Sequence, residues 1–98
     1  MISPTIGRKL WYRPQIAEKL AAHDQPFDAT VVHVHSDTCV NLVIFNEVGA
    51  MAAKSQVVLA QDRPAEPGEC EWMPYQVGQA KKHEGEADQT GEQAKEPA

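Results

Sequence analysis

The sequence predicts an all-β fold, a small five-stranded SH3-like barrel with a short helix or helical loop after the first strand. Two observations support the barrel, and a third delimits it. Short segments rich in β-branched and apolar residues recur along the chain, and turn-forming residues separate them. Residues 81–98 contain no Val, Ile, Leu, Met or aromatic residue, so they cannot offset their chain entropy by burial. We therefore assign residues 1–80 to a single barrel domain and residues 81–98 to a disordered acidic tail.

The first strand is expected from Thr5 to Tyr12, where polar and apolar residues alternate loosely. Leu10 and Tyr12 fall on one face of this strand, and Trp11 and Arg13 fall on the other. One face is therefore expected to contact the core.

A short helix or helical loop is predicted next, from Pro14 to Ala22. Proline is favoured in the first turn of a helix, and Ile16, Ala17 and Leu20 follow at helical spacing. At about two turns, such a helix depends on packing against the rest of the domain.

The middle of the chain has the strongest strand signals. Strands are expected at Phe27–His35 and Cys39–Phe45, and the second is the more apolar, as a central strand would be. Asn46–Gly49 has Asn first and Gly fourth, which is typical of a type I turn. A hairpin partner follows at Met51–Leu59, with a bend near Lys54–Ser55.

The fifth strand is predicted at Glu69–Met73, after a loop at Gln61–Gly68, and Pro74 ends it. Five strands in meander order favour an SH3-like barrel, because closure removes exposed sheet edges. An OB-like barrel is the alternative. It is disfavoured because no helix is predicted between the third and fourth strands.

Charge and apolar content narrow the class of protein. Residues 1–80 hold six Lys or Arg against nine Asp or Glu, residues 81–98 hold three against five, and the net charge is −5. Binding to nucleic acid is therefore not expected, since it relies on Lys and Arg. The apolar runs, Leu42–Phe45 and Val57–Ala60 among them, are too short to span a membrane. The absence of a signal-peptide pattern predicts a cytoplasmic protein with reduced cysteines. A domain with so small a core is marginally stable alone, so a homo-oligomer is the alternative to a monomer.

A candidate metal site lies at the end of the second strand. His33 and His35 are two residues apart, which places both on one face of a strand, and Asp37 follows in the turn. Such a pair can chelate zinc, yet no second cluster completes the ligand set of a tetrahedral site. We therefore predict no metal and no cofactor, with these three residues as weak candidates.

Enzymatic motifs are missing from the sequence. No GxSxG, HExxH or phosphate-binding glycine loop is present. Cys39 opens the most apolar strand, where an inert buried thiol is expected. Glu69 and Glu71 share a strand face and are interpreted as a solvated face. The sequence therefore predicts a protein that is not an enzyme.

The aromatic residues are the main candidate binding residues. Trp11 and Tyr12 belong to the first strand, and Trp72 and Tyr75 to the last, and these strands are neighbours in an SH3-like barrel. The four rings are therefore expected to form one local cluster, either as an exposed binding surface or as packing that closes the barrel. Basic residues of the first strand would border it: Arg8, Lys9 and Arg13.

Several segments carry a resemblance that spans about residues 3–82. They are Pro4–Arg8, Asp28–Val32, Val40–Leu42, Ser55–Val57 and Glu71–Lys82, with the run Glu-Trp-Met-Pro-Tyr-Gln as the most specific part. They resemble small uncharacterised proteins of tailed bacteriophages and prophages. The resemblance implies a phage-encoded protein acting in the cytoplasm of the bacterial host, with residues 71–80 packed or functional. It implies no activity, ligand or catalytic residue.

Two classes of function remain open from the sequence. The leading hypothesis is a non-enzymatic module that binds a host or phage protein, in host takeover or counter-defence, through the aromatic cluster and adjoining loops. The alternative is sequestration of a small nucleotide, or binding of single-stranded nucleic acid, with aromatic stacking and phosphate contacts from the basic residues. The acidic balance disfavours nucleic acid as a partner.

Overall fold

A computed structural model describes residues 1–81, which form a closed five-stranded β-barrel followed by a short helix. The tail predicted at residues 81–98 lies outside this range, apart from Lys81. The strands are β1 (Lys9–Tyr12), β2 (Phe27–Ser36), β3 (Cys39–Phe45), β4 (Met51–Ala60) and β5 (Cys70–Glu71). The mainly β architecture predicted from the sequence is confirmed.

The strands follow one another around the barrel in chain order, and β1 pairs with β5 to close it. Four of the pairs are antiparallel, and β4 and β5 are parallel. One parallel pair is unavoidable, because strands cannot alternate in direction around a ring with an odd number of members. The meander order is that expected of an SH3-like barrel, and it differs from the Greek-key order of the OB alternative.

The core lies inside the barrel and is built by alternation along the strands. In β3 every second residue is buried, and the inward positions of β1 and β2 behave in the same way. The fully buried side chains include Leu10, Val31, Leu42 and Leu59. No charged residue is buried within the described part of the chain.

The β3–β4 hairpin has the turn that its residues predicted. The amide of Gly49 donates to the carbonyl oxygen of Asn46 at 3.0 Å, as in a type I turn. The Asn46 side chain also accepts from the amides of Val48 and Ala50. Gly49 adopts a φ of +86°, a conformation that glycine reaches without steric cost.

The bend predicted near Lys54–Ser55 is a β-bulge. Leu42 pairs with Lys54 while Val40 pairs with Val57, so β4 has one more residue than β3 between these positions. Gln56 takes up the extra length with a φ of 53°. The Asn41 side chain accepts the Gln56 amide at 2.7 Å and so stabilises the bulge.

Of the two forms predicted for residues 14–22, a short helix or a helical loop, the structure has the second. Only Ile16–Glu18 is helical, as a single 3₁₀ turn, and Lys19 is already extended. The helical spacing of Ile16 and Leu20 does not lead to burial, since these side chains are 87% and 66% exposed. A stretch this short gains little helical stability of its own, and contacts of the Glu18 carboxylate fix the loop instead.

A second helix, α1 (74–81), follows β5 and was not predicted. Its start has a recognisable signature, because Pro74 occupies the first helical position and the Gln76 side chain accepts the Met73 amide at 2.8 Å. Val77 packs against the core. Val77 and the buried Trp72 thus anchor this segment to the barrel.

Among residues 1–81, no helix has the length and apolar character needed to cross a membrane.

Candidate functional site

The four candidate aromatic residues do not form one cluster, which corrects the sequence prediction. Tyr12 and Trp72 point into the core and are 2% and 5% exposed. Trp11 is half-buried on the outside of β1, and Tyr75 is 73% exposed on α1. Adjacent residues of a strand point to opposite faces, so pairing β1 with β5 brings the backbones together but separates the rings.

Two of the three candidate basic residues are paired with carboxylates. Lys9 Nζ lies 3.2 Å from Asp28 Oδ2, and Arg13 Nη2 lies 2.7 Å from Glu71 Oε2. Arg8 instead donates to the Thr5 hydroxyl at 3.4 Å. The charges of Lys9 and Arg13 are thus balanced within the barrel wall, which leaves less positive charge for a phosphate group. The pairing does not favour the nucleotide hypothesis.

The strand register creates a different surface, which we call the outer row. Trp11 pairs with Asp28, Asp28 with Phe45, and Phe45 with Met51. Paired residues of antiparallel strands have their side chains on the same face, so these four form a continuous row across β1 to β4 on the outside of the barrel. Trp11 is the only member that the sequence singled out.

The outer row combines apolar side chains with a central ion pair. Met51 is 70% exposed, and Trp11 and Phe45 are half-buried. The ammonium group of Lys9 lies 5.3 Å from the centre of the Phe45 ring while it contacts Asp28. The guanidinium of Arg13 lies 5.6 Å from the Trp11 ring. Trp, Phe, Met and Arg are the residue types enriched in protein–protein interfaces.

The loop between β1 and β2 is held by two carboxylates that the sequence did not point to. Glu18 Oε1 accepts hydrogen bonds from the Tyr12 hydroxyl at 2.9 Å and from the backbone N–H of Gln15 at 2.8 Å. Glu18 Oε2 lies 2.6 Å from Lys54 Nζ. Desolvation raises the pKa of Glu18, but these hydrogen bonds outweigh it and lower the pKa overall. Burial, followed by the hydrogen bond to Glu18, raises the pKa of Tyr12.

Glu47, in the β3–β4 turn, binds the far side of the same loop. One of its oxygens accepts from the amides of Leu20 and Ala21 at 2.7 and 3.1 Å, and lies 3.0 Å from His23 Nε2. Desolvation raises the pKa of Glu47, but hydrogen bonds from its own amide and from these three residues lower it to about 2. The carboxylate is therefore charged across the neutral range and fixes the loop to the hairpin.

The opposite end of the barrel is fixed by Gln61. Its amide nitrogen donates to the carbonyl oxygens of Ile2 and Asp37, both at 2.8 Å. Its amide oxygen accepts from the indole N–H of Trp72 at 3.2 Å and from the Ile2 amide at 3.3 Å. All four hydrogen-bonding positions of this side chain are used, so Gln61 joins the start of the chain, the β2–β3 turn and Trp72.

Three titratable residues in and beside β5 have structural roles. Burial raises the pKa of the Cys70 thiol to about 12, so the thiolate that a nucleophile requires is not populated at neutral pH. Glu69 is paired with Arg63 at 2.7 Å, and Glu71 with Arg13. These contacts hold strands and loops together.

The weak metal candidates are partly brought together. The rings of His33 and His35 lie side by side, with centroids 4.8 Å apart. Asp37 lies in the β2–β3 turn, where its carbonyl oxygen binds Gln61. Within the described range, no group of three or more His, Cys, Asp or Glu side chains is placed to hold a metal ion.

Comparisons with protein-family models, with curated proteins and with solved structures find no match to this chain.

Proposed function

We propose that this chain is a phage-encoded, non-enzymatic module that binds a protein of the bacterial host in the cytoplasm. The observation that carries the proposal is the outer row, in which Trp11, Phe45 and Met51 lie in register on the outside of the barrel, with Asp28 between Trp11 and Phe45. Interfaces are built around such aromatic and Met side chains, and their rims are polar. The phage and host parts of the proposal rest on the resemblance of residues 3–82.

The expected partner is a protein with an apolar patch surrounded by basic residues. The outer row supplies the apolar contacts, and the chain has a net charge of −5. Net charge of one sign steers association towards partners of the opposite sign and increases the association rate more than the affinity. Asp28, within the row, is already paired with Lys9, so the attraction to basic residues comes from the net charge of the chain.

A non-enzymatic role fits the state of the titratable residues. Cys70 is a buried thiol with a raised pKa, and the carboxylates of Glu18 and Glu47 hold the β1–β2 loop. Catalytic groups must instead be accessible, with pKa values suited to proton transfer or nucleophilic attack.

The test is capture of partners from bacterial lysate by the full chain and by matched variants. Met51→Lys changes the outer row. The control, Val58→Lys, introduces the same residue on the same strand at a position that is 42% exposed. It lies roughly 20 Å from Met51 at the usual rise per residue of a strand. Trp11→Ala removes the aromatic end of the row. Circular dichroism melting establishes that each variant is folded.

We expect one host protein to be retained by the wild-type chain and by Val58→Lys, and to be lost with Met51→Lys and Trp11→Ala. Its binding should weaken as salt concentration rises, since the charges contribute to association. Recovery of the same proteins by all variants would overturn the outer row as the binding surface. Recovery of no partner at micromolar bait concentration would overturn the proposal itself.

The phage part has a separate test in the position of the coding gene. A position among genes for phage replication, regulation or particle assembly would support it. A position within a conserved bacterial operon, far from any prophage, would contradict it.

A further inference from the structure

The two histidines of β2 form a pair on the outer surface, at the end of the strand remote from β1. His33 and His35 are both exposed, and their rings meet edge to face at 72° with centroids 4.8 Å apart. Alternation along the strand directs both side chains to the same face, while Val34 between them contacts the core. The arrangement brings two imidazole groups within reach of a single ion.

The hydrogen bonds of Asn41 determine which nitrogen of His35 carries the proton. Asn41 Oδ1 accepts the backbone N–H of Gln56 at 2.7 Å, and a backbone amide can only donate. The same oxygen lies 2.9 Å from His35 Nε2. Since this oxygen can only accept, Nε2 must carry the hydrogen. In the neutral ring, Nδ1 of His35 then has a free lone pair.

This is the arrangement that supports a metal-binding histidine. A ligating imidazole commonly donates its other N–H to an oxygen that fixes the tautomer and the orientation of the ring. Asn41 supplies that oxygen to His35, and the Gln56 amide holds Asn41 in place. The bulge in β4 thus orients a side chain on β2, two strands away.

We propose that His33 and His35 bind one divalent transition-metal ion through two imidazole nitrogens, and that Cu²⁺ is bound most tightly. Imidazole suits Cu²⁺, Ni²⁺ and Zn²⁺, and affinity for nitrogen ligands peaks at Cu²⁺ in the first-row series. A structural zinc site has four protein ligands, whereas the described residues supply two here. The remaining coordination positions are open to water or to a ligand from another molecule. This inference does not depend on the outer row.

The experiment is a calorimetric titration of the full chain with Cu²⁺ in a non-coordinating buffer, with electron paramagnetic resonance at one equivalent. We expect one ion per chain and hyperfine coupling to two imidazole nitrogens. His33→Gln and His35→Gln should each weaken binding by about tenfold or more, since losing a ligand has at least the effect of losing a second-shell partner. Zn²⁺ should bind more weakly than Cu²⁺.

Two controls separate this site from general binding to histidine. His83→Gln removes a histidine outside residues 1–81 and should leave the affinity unchanged. Asn41→Asp keeps an oxygen for both the Gln56 amide and His35, so binding should be retained or strengthened. Unchanged Cu²⁺ affinity in the His33→Gln/His35→Gln double variant, or coupling to a single nitrogen in the wild-type chain, would overturn the proposal.

Discussion

The two ends of the barrel are closed by different chemistry. At the loop end, where the β1–β2 loop meets the β3–β4 turn, two carboxylates accept the hydrogen bonds: Glu18 from Tyr12 and Gln15, and Glu47 from backbone amides. At the opposite end, which we call the clasp end, the neutral side-chain amide of Gln61 makes the hydrogen bonds to Ile2, Asp37 and Trp72. Each end therefore joins distant segments through one or two side chains, in place of a large apolar interface.

The difference matters because a carboxylate can be protonated and an amide cannot. The stabilisation that the loop end provides should change with pH and salt. The stabilisation that the clasp end provides should depend only on side-chain shape and on the match between hydrogen-bond donors and acceptors. A neutral amide also satisfies two donors and two acceptors at once, while a carboxylate only accepts. Three predictions use this contrast, beginning with the largest expected effect.

The first prediction concerns the clasp end. Gln61→Glu preserves the size of the side chain but replaces its two N–H donors with an oxygen that faces the carbonyl oxygens of Ile2 and Asp37. We expect a loss of about 2–3 kcal/mol in the free energy of unfolding, because two acceptors lose their partner and meet a negative charge. Urea denaturation measures it.

Gln25→Glu is the control for the clasp, since it adds the same charge at an exposed position. It should change the free energy of unfolding by less than about 0.5 kcal/mol. Equal effects of the two substitutions would mean that Gln61 does not act as a clasp.

The second prediction concerns Glu18 at the loop end. Glu18→Ala leaves the buried Tyr12 hydroxyl without its acceptor and frees the Gln15 amide, so we expect a loss of about 1–2 kcal/mol. Lys54→Met removes only the ion pair with Glu18, in which the Lys54 side chain is 36% exposed. It should therefore lose less than about 1 kcal/mol. Chemical denaturation of both variants measures the difference, and a larger effect of Lys54→Met would reverse this interpretation.

The third prediction is a pH dependence that originates from Glu47. Its pKa is lowered to about 2 in the folded chain, against about 4.3 for an unperturbed Glu. The unfolded chain thus binds a proton first as the pH falls, so the stabilising contribution is complete above about pH 4.3 and is lost between that value and about pH 2. Thermal melts of wild type and Glu47→Gln should differ near pH 6 and converge near pH 2. A constant difference over this range would show that the Glu47 charge does not stabilise the loop.

The strands of the barrel were predictable because their signals are local and agree with one another. The apolar run at Cys39–Phe45 and the turn residues Asn46 and Gly49 specify a hairpin, and neighbouring strands must then cover its apolar face. Strand β1 is shorter than predicted because Arg8 donates to the Thr5 carbonyl oxygen in a turn that ends before Lys9.

Two features depart from the sequence prediction, for different reasons: the helical part of the β1–β2 loop is a single turn, and helix α1 follows β5. The spacing of Ile16 and Leu20 is helical, but the loop conformation depends on Glu47 and Lys54, which are distant in sequence and carry no local signal. For α1 the local signal was present, in Pro74 and in the Gln three positions after Met73. Proline is equally compatible with the end of a strand, so these two residues alone do not specify a helix.

The outer row shows why the type of a single residue in the sequence is a poor predictor of a binding surface. Trp11 stands out by its type, yet its neighbours in the row, Phe45 and Met51, lie far along the chain and are placed by strand register. Phe45 and Met51 pair directly next to the β3–β4 turn, whereas Trp11 and Asp28 meet only when β1 pairs with β2.

Strand β5 has only two residues, so the closed barrel can open there. Cys70 and Glu71 alone pair with both β1 and β4, so detaching two residues would interrupt the circle without unfolding the remaining four-stranded sheet. Such partial openings occur in folded proteins well below the free energy of global unfolding. Because the Cys70 sulfur is fully buried, a thiol reagent can label it only when β5 detaches. The labelling rate therefore measures how often the barrel opens at β5.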